Sequence, residues 1–165
     1  MMSQSTTASA LPKPPKPFGV PAAILWGTLI AGALDATDGV VFYGFKGLNP
    51  IQVLQFIASG VLGTASYQGG LATAGLGTLL HFFIAAVVAA LYVTASRKIP
   101  QLLSAAIPLG LLYGATVYLF MTYLVVPFSA IGSSAFSLVA FLNGIIGHAL
   151  FVGLPIALLA RKVNA

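Results

Sequence analysis

From residue 20 onward, long apolar runs alternate with short polar breaks, and the length of each run decides what it can build. Four runs, at roughly 20–45, 71–95, 102–127 and 138–160, exceed the ~20 helical residues that cross a hydrocarbon core about 30 Å thick. The pattern predicts four transmembrane helices. Between the first two lies a shorter run, LNPIQVLQFIASGVLG, where Asn49 is placed to cap a helix and Pro50 to occupy its first position. A helix over about 50–63 reaches about 20 Å, too short to span, so it is expected to lie in the interface or to dip in and return. Its Gln52, Gln55 and Ser59 share one face, leaving Val53, Leu54, Phe56 and Ile57 for lipid or bundle. Residues 1–19 are Ser/Thr-rich and then LPKPPKPFG, and the prolines from Pro12 to Pro21 exclude regular helix. They read as a disordered cytoplasmic tail ahead of a single domain, 20–165.

Composition sharpens this reading. Of 165 residues, 59% are hydrophobic and 5% charged, where soluble domains carry about 25% charged residues to wet their surface. A water-facing domain is excluded. The chain has no cysteine, which removes disulfides, thiolate catalysis, iron–sulfur clusters and cysteine zinc sites. The net charge of +5 does not point to nucleic acid, because the basic residues sit at the ends of apolar runs, where lipid headgroups are the partner. With the N-terminus inside, Lys13, Lys16, Arg97, Lys98, Arg161 and Lys162 fall on the cytoplasmic side and Lys46 falls outside. That asymmetry predicts a multi-pass protein of the plasma membrane with both termini cytoplasmic.

Helices in lipid associate through close packing and hydrogen bonds, so small residues mark their contacts. Gly110-Leu-Leu-Tyr-Gly114 is such a pair in the third run, and Gly27 with Ala31 and Gly32 with Ala36 are similar pairs in the first. Gly110 and Gly114 fit either a seam within one chain or a homo-oligomer contact. Gly77-Thr-Leu-Leu-His81 matches Gly144-Ile-Ile-Gly-His148, and both helices end in a basic pair, a pattern open to reading as two parallel-repeated hairpins.

The polar residues inside the runs carry the functional question. Asp35 and Asp38, the two acids of the chain, lie three apart on one face of the first run, which also holds Thr28, Ala31, Gly32 and Gly39. Near the bilayer centre an aspartate costs about 2.5–3.5 kcal/mol on insertion scales. Counting from the outer ends puts Asp35, His81, Tyr118 and His148 at one depth, about 15 Å in. Such a layer has several readings: a hydrogen-bond network fixing helix register, a proton or ion path serving transport or regulation, haem b held between His81 and His148 in an electron carrier, or a divalent metal on the aspartates and histidines. An assembly subunit of a larger membrane complex is a further alternative. No catalytic residue is evident, since no Gly-Lys-Ser/Thr follows the glycines, no HExxH occurs, and the segment 129–137 offers its serines no base.

The strings LLHFFIAAVVAALYV, IPLGLLYGATVYLFMTYLVVPF and GHALF, with Leu29 to Gly32 in the first run, resemble the YagU-like family of bacterial inner-membrane proteins. The family's histidine in the second helix and Gly-His in the last match His81 and Gly147-His148. The resemblance implies a small polytopic inner-membrane protein with no assigned reaction. Where that family tends to carry a lysine in the first span, this chain has Asp35 and Asp38.

Overall fold

The computed structural model describes residues 19–133 and 135–163; residues 1–18 of the proline-rich tail, with Lys13 and Lys16, lie outside the described residues. Among the described residues there is no strand. The first span is helix α1 (Val20–Gly44), which carries its proline in the first turn, where no intrahelical N–H is needed. Helix α2 (Pro50–Leu62) follows, then a 3-10 turn (Gly63–Gln68) and the second span, α3 (Gly70–Ser96). After the single turn α4 (Gln101–Ser104), the third span is α5 (Ala106–Phe120) prolonged by a π-helical turn (Met121–Val125). The fourth runs through α6 (Leu138–Gly147), a π-helical turn (His148–Gly153) and α7 (Leu154–Val163). All four are long and apolar enough to cross a membrane, and the molecule is an all-α, four-helix membrane protein.

Two departures from the apolar-run pattern have one cause, proline. The third span begins at Ala106 and not at 102, because a helix continued through Pro108 would drive its ring into the carbonyl of Ser104, four residues back. The chain breaks instead at Ala105, with φ −108° and ψ 42°. The π turns end two residues before Pro127 and Pro155. Moving hydrogen bonds to the fifth residue, as Val126 N–H does in donating to Met121 O at 2.8 Å, accommodates the missing proline donor without ending the helix.

Helix α2 opens with a reciprocal cap: Gln52 N–H donates to Asn49 Oδ1 and Asn49 N–H to Gln52 Oε1, both at 3.0 Å. It then packs back against α3 and, less extensively, α1. Gly77 makes this possible, since any Cβ there would occupy the space of the Leu54 carbonyl. The polar face splits in two. Gln52 stays exposed as cap, while Gln55 and Ser59 turn inward and are buried. Gln55 Nε2 donates to Gly70 O at 3.1 Å and to Thr73 Oγ1 at 3.2 Å, and Ser66 Oγ donates back to Gln55 O at 2.9 Å. Each buried polar group thereby acquires a partner, as lipid requires.

The buried hydrophobic core lies toward the end that bears Arg97, Lys98, Arg161 and Lys162. There Ala23, Ala31, Val88, Ala89, Ile156, Ala157 and Ala160 form a core of small and β-branched residues. Tyr92 and Tyr113 enter it with satisfied hydroxyls, donating to Leu102 O at 2.9 Å and Val88 O at 2.8 Å. Gly110 and Gly114 face the fourth span, where Gly153, Ala157 and the His148 carbonyl leave no room for side chains. The GxxxG pair is thus a seam within the chain. Leu112, on the opposite side of α5, is 62% exposed to the lipid side.

Candidate functional site

Of the five polar residues singled out from the sequence, Asp35, His148 and Tyr118 come together, while Asp38 and His81 find other partners. Small residues position Asp35 and Asp38: Thr28, Ala31 and Gly32 on their face are buried, so the stripe turns inward. Asp35 Oδ1 lies 3.4 Å from His148 Nδ1, with side chains 19% and 24% exposed respectively. That nitrogen is buried without an aligned hydrogen bond, so the pair is close but not linearly bonded. Tyr118 presents its ring to His148, centroids 5.3 Å apart and tilted at 61°. A side chain at Gly144 would strike the Tyr118 ring, so this glycine is what admits the tyrosine.

One turn further along α1, Asp38 Oδ2 accepts a 2.9 Å hydrogen bond from Asn143 Nδ2. A Cβ at Gly147 would lie 2.7 Å from the same oxygen, so the carboxylate rests against bare backbone of α6. Asn143 was not among the residues marked by spacing. Its signal was present, as a carboxamide in an apolar span needs a partner just as an acid does.

His81 goes elsewhere. Its Nε2 lies 2.8 Å from Gly32 O, on the side of α1 that meets α3, and its ring stands edge-on to Phe82 with centroids 5.4 Å apart. The two histidines therefore touch α1 three residues apart, about 4.5 Å along the axis. The expected single layer resolves into an Asp35–His148–Tyr118 group and a separate His81–Gly32 contact. Among the described residues no three His, Asp or Glu side chains form a metal-binding group.

The Gly-x-x-x-His matches also part in detail. Gly77 seats the backbone of α2, whereas Gly144 seats the Tyr118 ring. His148 opens a π turn, while α3 runs on past His81 as regular α-helix.

The Asp38 end of the site opens on a groove. Asp38, Asn143 and Gly147 line a depression of about 340 Å³ between α1 and the fourth span, and Asp38 also lines a second of about 250 Å³. Comparison of the chain with protein-family models, with curated proteins and with solved structures gives no match.

Proposed function

We propose that this small polytopic membrane protein performs proton-linked transport or regulation, with Asp35 and His148 as the proton-exchanging unit. The carrying observation is the 3.4 Å approach of Asp35 Oδ1 to a buried His148 Nδ1 that has no aligned partner. A network serving only helix register has no need of a carboxylate, since a carboxamide such as Asn143 makes the same bonds without charge. An imidazole beside a carboxylate adds one capacity, that of exchanging a proton. Asp38, one turn outward, extends the route toward the outer face, and the π turn that begins at His148 is a feature often found at functional positions.

The proposal includes a bacterial inner-membrane location with cytoplasmic termini. It is supported by Arg97, Lys98, Arg161 and Lys162 flanking one end of the bundle and Lys46 the other. Kinship with the YagU-like proteins belongs to the same proposal and rests on His81 and Gly147-His148.

The test is proton flux into pyranine-loaded proteoliposomes under a potassium diffusion potential. Asp35→Asn is expected to keep its helix content and elution volume while flux falls to that of empty liposomes. His148→Gln should do the same. Wild-type flux no greater than that of empty liposomes, or Asp35→Asn flux equal to wild type, would refute the proton reading.

A further inference from the structure

The groove at Asp38 has a shape and apolar walls that the proton reading does not use. It runs along the fourth span past Leu142, Asn143, Ile146, Leu150 and Phe151, with Phe42 of α1 at its outer end. Asp38 and Phe151 also border the second depression, beside Leu34 and Val41. The walls are therefore mostly apolar on both sides of one carboxylate, with Asn143 and Thr37 the other polar residues that line them. Asn143 occupies Oδ2, and among the described residues no donor bonds Oδ1 and no lysine or arginine pairs with Asp38. Lys46 does not pair with Asp38: it lies eight residues, about 12 Å, further along the chain, with its Nζ 4.4 Å from the centre of the Phe42 ring at the end of the groove.

A carboxylate beside lipid calls for a cation or a donor in low dielectric. The groove supplies one donor, Asn143 to Oδ2, and, among the described residues, no cation, and it offers mostly apolar wall on either side of Oδ1. Asp38 is six residues from the end of α1, about 9 Å, a depth at which an amphiphile can keep its polar group near the interface and its chain along Ile146 and Leu150. From this complementarity we infer that the groove between α1 and the fourth span binds a hydrophobic primary ammonium, held by Asp38 and entering from the lipid side. The larger depression, about 340 Å³, lies at the lower end of the range of small-molecule sites, the second, about 250 Å³, is a smaller extension beside it, and together they are short of the continuous face that a partner helix would need. Binding requires no proton movement, so it stands or falls apart from the Asp35–His148 unit.

The test is equilibrium binding of radiolabelled dodecylammonium to the full chain in phosphatidylcholine nanodiscs, with empty nanodiscs as the partition blank. One saturable site per chain is expected, competed by unlabelled dodecylammonium and not by equal concentrations of dodecanol or laurate. Asp38→Asn should weaken binding about tenfold or more, the scale of a charged hydrogen bond lost. Ile146→Trp, at a lipid-exposed position, fills the groove without touching the carboxylate and should weaken it comparably while elution and helix content stay unchanged. Uptake equal to the blank, equal competition by dodecanol or laurate, or wild-type affinity in Ile146→Trp overturns the inference. Cross-linking of two chains through Ile146→Cys in the absence of ammonium overturns it in favour of a second copy as occupant.

Discussion

The seam between α5 and the fourth span allows a prediction in which two glycines of one motif behave differently. At Gly114 an added Cβ would strike the His148 carbonyl, with the carbonyl carbon at 2.7 Å and Ala149 Cα at 2.8 Å. These are backbone atoms of a helix and cannot rotate away. Restoring an ordinary contact of 3.4 Å to the carbonyl carbon alone requires the helices to part by about 0.7 Å, and the closer carbonyl oxygen demands more, which forfeits at least a quarter to a half of each affected dispersion contact. Gly114→Ala should therefore destabilise by about 2 kcal/mol, the overpacking penalty less some gain in helix propensity. At Gly110 the nearest atom is instead the Ala157 Cβ, at 2.6 Å, with Gly153 O at 3.1 Å. Gly110→Ala should cost about 1–2 kcal/mol and be largely rescued by Ala157→Gly, with a coupling of about 1 kcal/mol in a double-mutant cycle. No side-chain deletion should rescue Gly114→Ala. The assay is reversible unfolding in mixed micelles with increasing SDS, with lipid-facing Leu112→Ala as the neutral control. Equal rescue of both glycine variants by Ala157→Gly, or Gly114→Ala as stable as Leu112→Ala, would refute the seam geometry.

Other outcomes follow from single contacts. Gly77→Ala should lift α2 from α3, because the Leu54 carbonyl fills that space; amide exchange should quicken across residues 50–62 and stay unchanged across 154–163. Gln55→Leu removes the donor to Gly70 O and Thr73 Oγ1 and should cost about 0.6–2 kcal/mol in the same unfolding assay, whereas Gln52→Leu at the exposed cap should cost about 1 kcal/mol or less. For topology, Ser133→Cys should react with an impermeant maleimide added to intact cells and Ser104→Cys should react after lysis alone; the opposite pattern would invert the orientation.

The architecture was legible because membrane spans follow from local quantities: twenty or more apolar residues, a capping Asn49 ahead of Pro50, small residues where helices meet. Each such signal acts within a few turns of helix, so no knowledge of the partner was needed. What the sequence could not state was which neighbour each face meets. His81 and His148 share a Gly-x-x-x-His pattern, yet His81 meets the Gly32 carbonyl and His148 meets Asp35, because the helices carrying them lie on different sides of α1. Asn143 gained its role only when α6 came beside Asp38. Gln55 and Ser59 turned inward because α2 folds back on α3 through Gly77, which meets Leu54, 23 residues earlier. The π turn at His148 had a written cause in Pro155, but its effect on side-chain direction depends on how the widened turn seats against Gly114. Apolar length and spacing set the helices, while packing of small residues across helices decided which polar groups meet, since the interhelical contacts that select a rotation in lipid exist only between assembled helices.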